Sequence, residues 1–165
     1  MLRPIAILTL VATISLAAVE GDSRPRFSYA QVASAGLEAE VTWKEVGIWR
    51  EGTVHNVVTA EASATYVCLE AGQARVADQQ NVDDFLSVEG DFASTKNGFA
   101  SGSLTLKPPG PGMFSCAPGE RLQLACARYT QLSCRDDTYA ISSELRRTVV
   151  SFEPGYGQFC SLDLR

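Results

Sequence analysis

Two stretches of strict alternation dominate the chain. Leu37, Ala39, Val41 and Trp43 alternate with Glu38, Glu40, Thr42 and Lys44. Further on, Val58, Ala60, Ala62, Ala64, Tyr66 and Cys68 alternate with Thr59, Glu61, Ser63 and Thr65. A two-residue period turns one face to a core and the other to water, the pattern of a half-buried strand; a helical period fits neither run. Gly52 and the polar pair His55-Asn56 separate the two runs, and residues 69–80, mixed and rich in Ala and Gln, read as loop. Residues 82–88 predict a short strand. Asn97-Gly98, two residues that accept positive φ, predicts a two-residue hairpin turn between strands at 92–96 and 99–106. The second of these ends at Pro108-Pro109-Gly110-Pro111-Gly112, which cannot continue a ladder. After a turn at Pro118-Gly119, residues 121–133 predict a long strand with Leu122, Leu124 and Cys126 on its inner face, and residues 148–152 a last one.

No amphipathic helical pattern is sustained from residue 37 onward. About seven strands punctuated by Gly and Pro predict a single all-β domain, an antiparallel β-sandwich over 37–152. Residues 23–36 carry no hydrophobic period, so 19–36 reads as a linker and 153–165 as a C-terminal tail.

The N-terminus changes the picture. A short positive segment, Met1 to Pro4, precedes an uncharged apolar stretch over 5–19. That stretch is shorter than the roughly 20 residues a membrane-spanning helix needs, and it matches the apolar region of a signal peptide over 1–18. Cleavage after Ala17 or Ala18 competes with the Ala33-Ser34-Ala35 triplet further on. The reading is a secreted or extracellular protein. Its net charge of −5 gives no general attraction for nucleic acid, nor for an anionic membrane beyond the signal segment.

Export gives the five cysteines, Cys68, Cys116, Cys126, Cys134 and Cys160, a bridging role. No C-x-x-C occurs, which argues against a zinc ribbon or a redox motif. A Cys68–Cys116 bridge would tie two strand ends and close a long loop, worth about 4 kcal/mol. Cys126 and Cys134 lie eight residues apart on one extended strand, too far to bond to each other. A Cys134–Cys160 bridge would staple the tail and leave Cys126 as a free, buried thiol.

Candidate chemistry is sparse. The lone histidine, His55, could serve a small hydrolase, but no G-x-S-x-G elbow accompanies it. Asp83-Asp84 and Asp136-Asp137 lack the spacing of a calcium loop and read as turn residues. The sequence therefore implies neither metal nor cofactor. Trp43 falls on the apolar face of its strand and reads as core. Trp49 breaks the alternation and is the candidate for a ligand surface.

Tyr66-Val67-Cys68, Lys96-Asn97-Gly98, the run from Gly102 to Pro109 and Phe114-Ser115-Cys116-Ala117-Pro118-Gly119 together resemble a group of small secreted actinobacterial proteins, over roughly residues 37–152. Tyr129-Thr130, Asp137-Thr138 and Arg147-Thr148 continue the resemblance. It implies an immunoglobulin-like sandwich and a Cys68–Cys116 bridge. It carries no functional residues, and Cys126, Cys134 and Cys160 depart from the pattern. The functional expectation is a non-enzymatic secreted or cell-surface module binding an extracellular protein or glycan. The alternative is a secreted inhibitor presenting the loop 108–112, with a hydrolase using His55 behind both.

Overall fold

A computed structural model describes residues 24–70, 75–152, 154–156 and 160. The expected signal segment, 1–18, and most of the tail lie outside the described residues. Eight antiparallel strands are present, and no helix among the described residues. They are β1 (Arg26–Ala35), β2 (Glu38–Val46), β3 (Gly52–Leu69), β4 (Val76–Ser94), β5 (Phe99–Leu106), β6 (Arg121–Asp136), β7 (Ile141–Leu145) and β8 (Val149–Phe152). All belong to one sheet, in the order β1-β2-β5-β4-β3-β6-β7, with β8 also pairing with β6. In place of the two facing sheets of a sandwich, this single sheet curls until β1 lies beside β7 and β8, nearly closing a barrel. No ladder spans that seam. A hydrogen bond between the Ser34 and Ser151 hydroxyls, 2.7 Å long, crosses it instead.

The core fills the inside of the curl. Val41 and Trp43 of β2, Val58 and Ala60 of β3, Tyr129 and Leu132 of β6 and Leu106 of β5 are all buried there. The Tyr129 hydroxyl donates to the carbonyls of Leu37 and Leu106, satisfying the one polar atom that this large ring brings inside. β4 and β5 are hydrogen-bonded only at Ser94 and Ala100, then diverge. Phe92 fills the resulting wedge, packed edge-on against Trp43 at 4.8 Å. Its ring lies where a Cβ on residue 102 would sit, only 2.4 Å away, so that position must be glycine.

Several expectations need correction. Within 19–36, read as linker, Arg26–Ala35 forms β1. It is an edge strand that buries only Val32, and a bulge between Phe27 and Tyr29 breaks its period, so no alternation marks it. β3 runs unbroken through His55 and Asn56, and β4 begins at Val76 inside the expected loop. Residues 77–81 of β4 are exposed on both faces, which removes the two-residue signature. The turn at Asn97-Gly98 is one residue longer than a two-residue hairpin. Gly98 N–H donates to Thr95 O, Thr95 N–H donates to Phe99 O, and only Gly98 takes positive φ (77°), giving a three-residue loop with a glycine bulge.

The largest correction concerns β6. Opposite Ala60, the strand inserts an extra residue, with Gln131 at φ 49°. Before this bulge Ala127 and Tyr129 face the core; after it Leu132, Cys134 and Asp136 do. A straight two-residue count puts Cys126 and Cys134 on the same face, whereas a first irregularity between Leu124 and Cys126 and this bulge set Cys126 off the face of Leu124 and Cys134 on the core side. Leu122 is exposed, Cys126 lies on the outer side, and Cys134 is the buried free thiol. Cys126, not Cys134, bonds Cys160, with Cα atoms 5.6 Å apart. Cys68 bonds Cys116 across 5.5 Å.

Candidate functional site

Three turns meet at one end of the barrel: residues 47–51 between β2 and β3, 95–98 between β4 and β5, and 137–140 between β6 and β7. Hydrogen bonds tie the first two turns to each other and the third to His55 of β3. Ile48 N–H donates to Gly98 O at 3.1 Å, Asp137 N–H to His55 O at 2.9 Å, and His55 N–H to the Thr138 hydroxyl at 2.8 Å. Gly98 is required here twice, since a Cβ at its positive φ would also approach Ile48 O to 3.0 Å.

Trp49 stands on this rim, 66% exposed. Its ring meets Tyr139 edge-to-face, with centroids 5.1 Å apart. Tyr139 in turn packs on the small apolar cap of Ile48, Val54 and Ala100. One edge of the indole is thus clamped while the rest faces solvent.

Directly beneath the rim is a buried polar group. Glu45, Asn56 and Asp136 are all fully enclosed. Asn56 Nδ2 donates to Glu45 Oε1 at 2.6 Å. Asp136 Oδ1 accepts from the Thr138 N–H at 2.7 Å and, more weakly, from the Tyr139 N–H at 3.4 Å. This carboxylate therefore fixes the turn that carries Tyr139, and through it the orientation of Trp49. Glu45 Oε2, Asn56 Oδ1 and Asp136 Oδ2 are left without a partner. Two carboxyl groups enclosed together favour holding a proton. Burial is the main force that pushes Glu45 up to about 7; the Asn56 hydrogen bond opposes it, and Asp136 adds to it. Burial likewise lifts the neighbouring Cys134 thiol to about 12, with the charges of Glu45 and Asp136 adding, so it is an inert core group.

His55 lies on the outer face of β3, its ring bonded to Asp91 Oδ1 at 2.8 Å and 3.7 Å from Glu89 Oε2. The Asp91 hydrogen bond is the chief cause that raises its pKa. Its ring partners are carboxylates; among the described residues no serine or cysteine side chain bonds to it. Cys68, Cys116 and Glu120 fall within 4.8 Å of one another, but both sulfurs are used in the bridge and Glu120 accepts the Ala117 N–H.

The loop 108–112 projects at the opposite end of the barrel. The Tyr66 hydroxyl donates to Pro109 O at 2.7 Å and Cys116 ties the loop to β3, while Met113 between these anchors is fully exposed.

The structure thus brings Trp49 and His55 to one end, held apart from the loop 108–112. Sequence reasoning missed Tyr139, Glu45, Asn56 and the inward turn of Asp136. Glu45 continues the parity of Val41 and Trp43, and Asn56 that of Val58 and Ala60, so both were signalled. Asp136 was missed because β6 runs three residues beyond the strand expected at 121–133, into the Asp136-Asp137 pair read as a turn. Compared with known protein families, curated proteins and solved structures, the chain matches none.

Proposed function

We propose that this chain is an exported, non-enzymatic binding module. In this reading it is immunoglobulin-like in the way a rigid antiparallel scaffold carries contact loops at one end, and it takes an extracellular glycan or protein on the Trp49 rim. The observation that carries the reading is the indole of Trp49, exposed to water yet held at one edge by Tyr139. A large amphipathic ring with few degrees of freedom supplies contact area at small entropic cost. Loops on a rigid scaffold are where contact residues concentrate. The two disulfides suit the oxidising compartment that export implies. The test is a screen of immobilised glycans and extracellular proteins with the native chain and Trp49→Ala. Ligands of the rim lose binding to the variant; a panel whose every hit binds both equally would sink the reading.

A second reading has its own support. Met113, fully exposed between the Pro109 hydrogen bond and the Cys116 bridge, has the form of a pinned insert for another protein's cleft. Replacing 108–112 with Gly and Ser while keeping Cys116 would abolish inhibition of a target protease and leave rim binding untouched.

A further inference from the structure

The longest strand in the molecule is also its least covered. β4 pairs with β3 from Val76 to Ser94, yet its other edge meets β5 only at Ser94. Among the described residues no strand pairs with the edge over 76–93. β4 contains Asp78, Asp83, Asp84, Glu89 and Asp91 and neither Lys nor Arg, so this one strand contributes as much negative charge as the whole chain's net −5. Two of the acids act on the backbone: Asp78 Oδ1 accepts from Gln79 N–H and Asp84 Oδ1 from Phe85 N–H, each at 2.8 Å. Both donors have the same parity, and an N–H turned to a neighbouring carboxylate is one that β3 does not use. The two carboxylates occupy the place of the carbonyls that an added strand would bring. On the outer face, Asp83, Phe85 and Glu61, with Arg128 of β6, line a cleft of about 660 Å³, and Phe85 is 65% exposed.

We propose that the β4 edge is a docking site for an extended basic peptide, which adds to the sheet as a strand. An incoming strand must displace the Asp78 and Asp84 side chains from their N–H groups. A neutral strand offers those carboxylates nothing in return, whereas one bearing Lys or Arg gives each a cation. The exposed ring of Phe85 beside Asp83 suits a guanidinium or an alkyl stem. A second copy of the chain is disfavoured, because two β4 edges would set five carboxylates against five.

The probe is a fluorescent nine-residue peptide alternating Lys and Thr, titrated into the disulfide-bonded chain by anisotropy at low salt. Saturable binding that weakens with salt is expected, with the Lys→Glu peptide inactive and the double variant D83K/D84K at least tenfold weaker. Two further peptides, methylated on every Lys nitrogen or on every Thr nitrogen, separate strand addition from mere charge attraction. One of them loses binding and the other keeps it, since only one edge of the peptide meets β4. Trp49→Ala binds the Lys-Thr peptide normally, which keeps this site distinct from the rim. No binding of the Lys-Thr peptide, equal binding of both methylated peptides, or a dimer through β4 by sedimentation would overturn the proposal.

Discussion

The two ends of β3 are secured by opposite chemistries. At its C-terminal end Cys68 is bonded to Cys116, and the Cys126–Cys160 bridge lies on the next strand at the level of Thr65. Val67, Leu69 and Ala125 form a small apolar cluster there. At its N-terminal end there is no bridge; Asn56, Glu45 and Asp136 hold the turns through buried hydrogen bonds. The covalent end is insensitive to pH and sensitive to reductant. The polar end is expected to be the reverse, because burial raises the Glu45 carboxyl to about 7 and its protonation changes within the ordinary pH range. That difference suits the two candidate surfaces: a loop pinned by a bond at one end, and a rim positioned by a titratable cluster at the other.

The largest break in this comparison is covalent. Cys68→Ala with Cys116→Ala reopens a 48-residue separation and is expected to cost about 4 kcal/mol, roughly 10 °C in Tm by thermal denaturation. Alkylation without reduction should label no cysteine in the folded chain and one, Cys134, after unfolding.

The next effect belongs to the polar end. Folding holds the Glu45 proton more tightly than the unfolded chain does. The corresponding stability is full below the ordinary value of 4.5, declines as pH rises, and is lost by about 7. The span is at most about 3 kcal/mol, read from urea midpoints across that range. Glu45→Gln keeps the size of the side chain, cannot ionise, and should flatten the decline. Gly98→Ala, which strains the turn and crowds Ile48 O, should cost about 1–2 kcal/mol by the same urea assay. Trp49→Ala, at an exposed position, should change stability by less than about 1 kcal/mol while lowering affinity for a rim ligand at least about tenfold.

What was legible in the sequence follows from where water lies. β2 and residues 58–64 of β3 have one face in the core and one outside, so Val41, Trp43, Val58 and Ala60 announce themselves by parity. β1 and the first half of β4 lie along sheet edges, bury almost nothing, and leave no pattern to read. β6 has a pattern, but the bulge at Gln131 shifts it by one residue midway. A count that assumes a straight strand then puts Cys126 and Cys134 on one face, although the folded strand sets them on opposite ones. Trp49 could be singled out because it interrupts an alternation. Its partner Tyr139 could not, because the contact joins residues 90 positions apart across a turn held by the inward-facing Asp136 and the backbone of His55.

The division between a covalent end and a proton-dependent end can be measured amide by amide. Hydrogen exchange, corrected for intrinsic rates, should show protection at Thr138 falling as pH rises from about 4.5 to 7. Protection at Val67 and Leu69, beside the bridges, should stay constant, and Glu45→Gln should abolish the change at Thr138. Parallel pH responses at both ends, or a response at Thr138 that survives Glu45→Gln, would contradict the account.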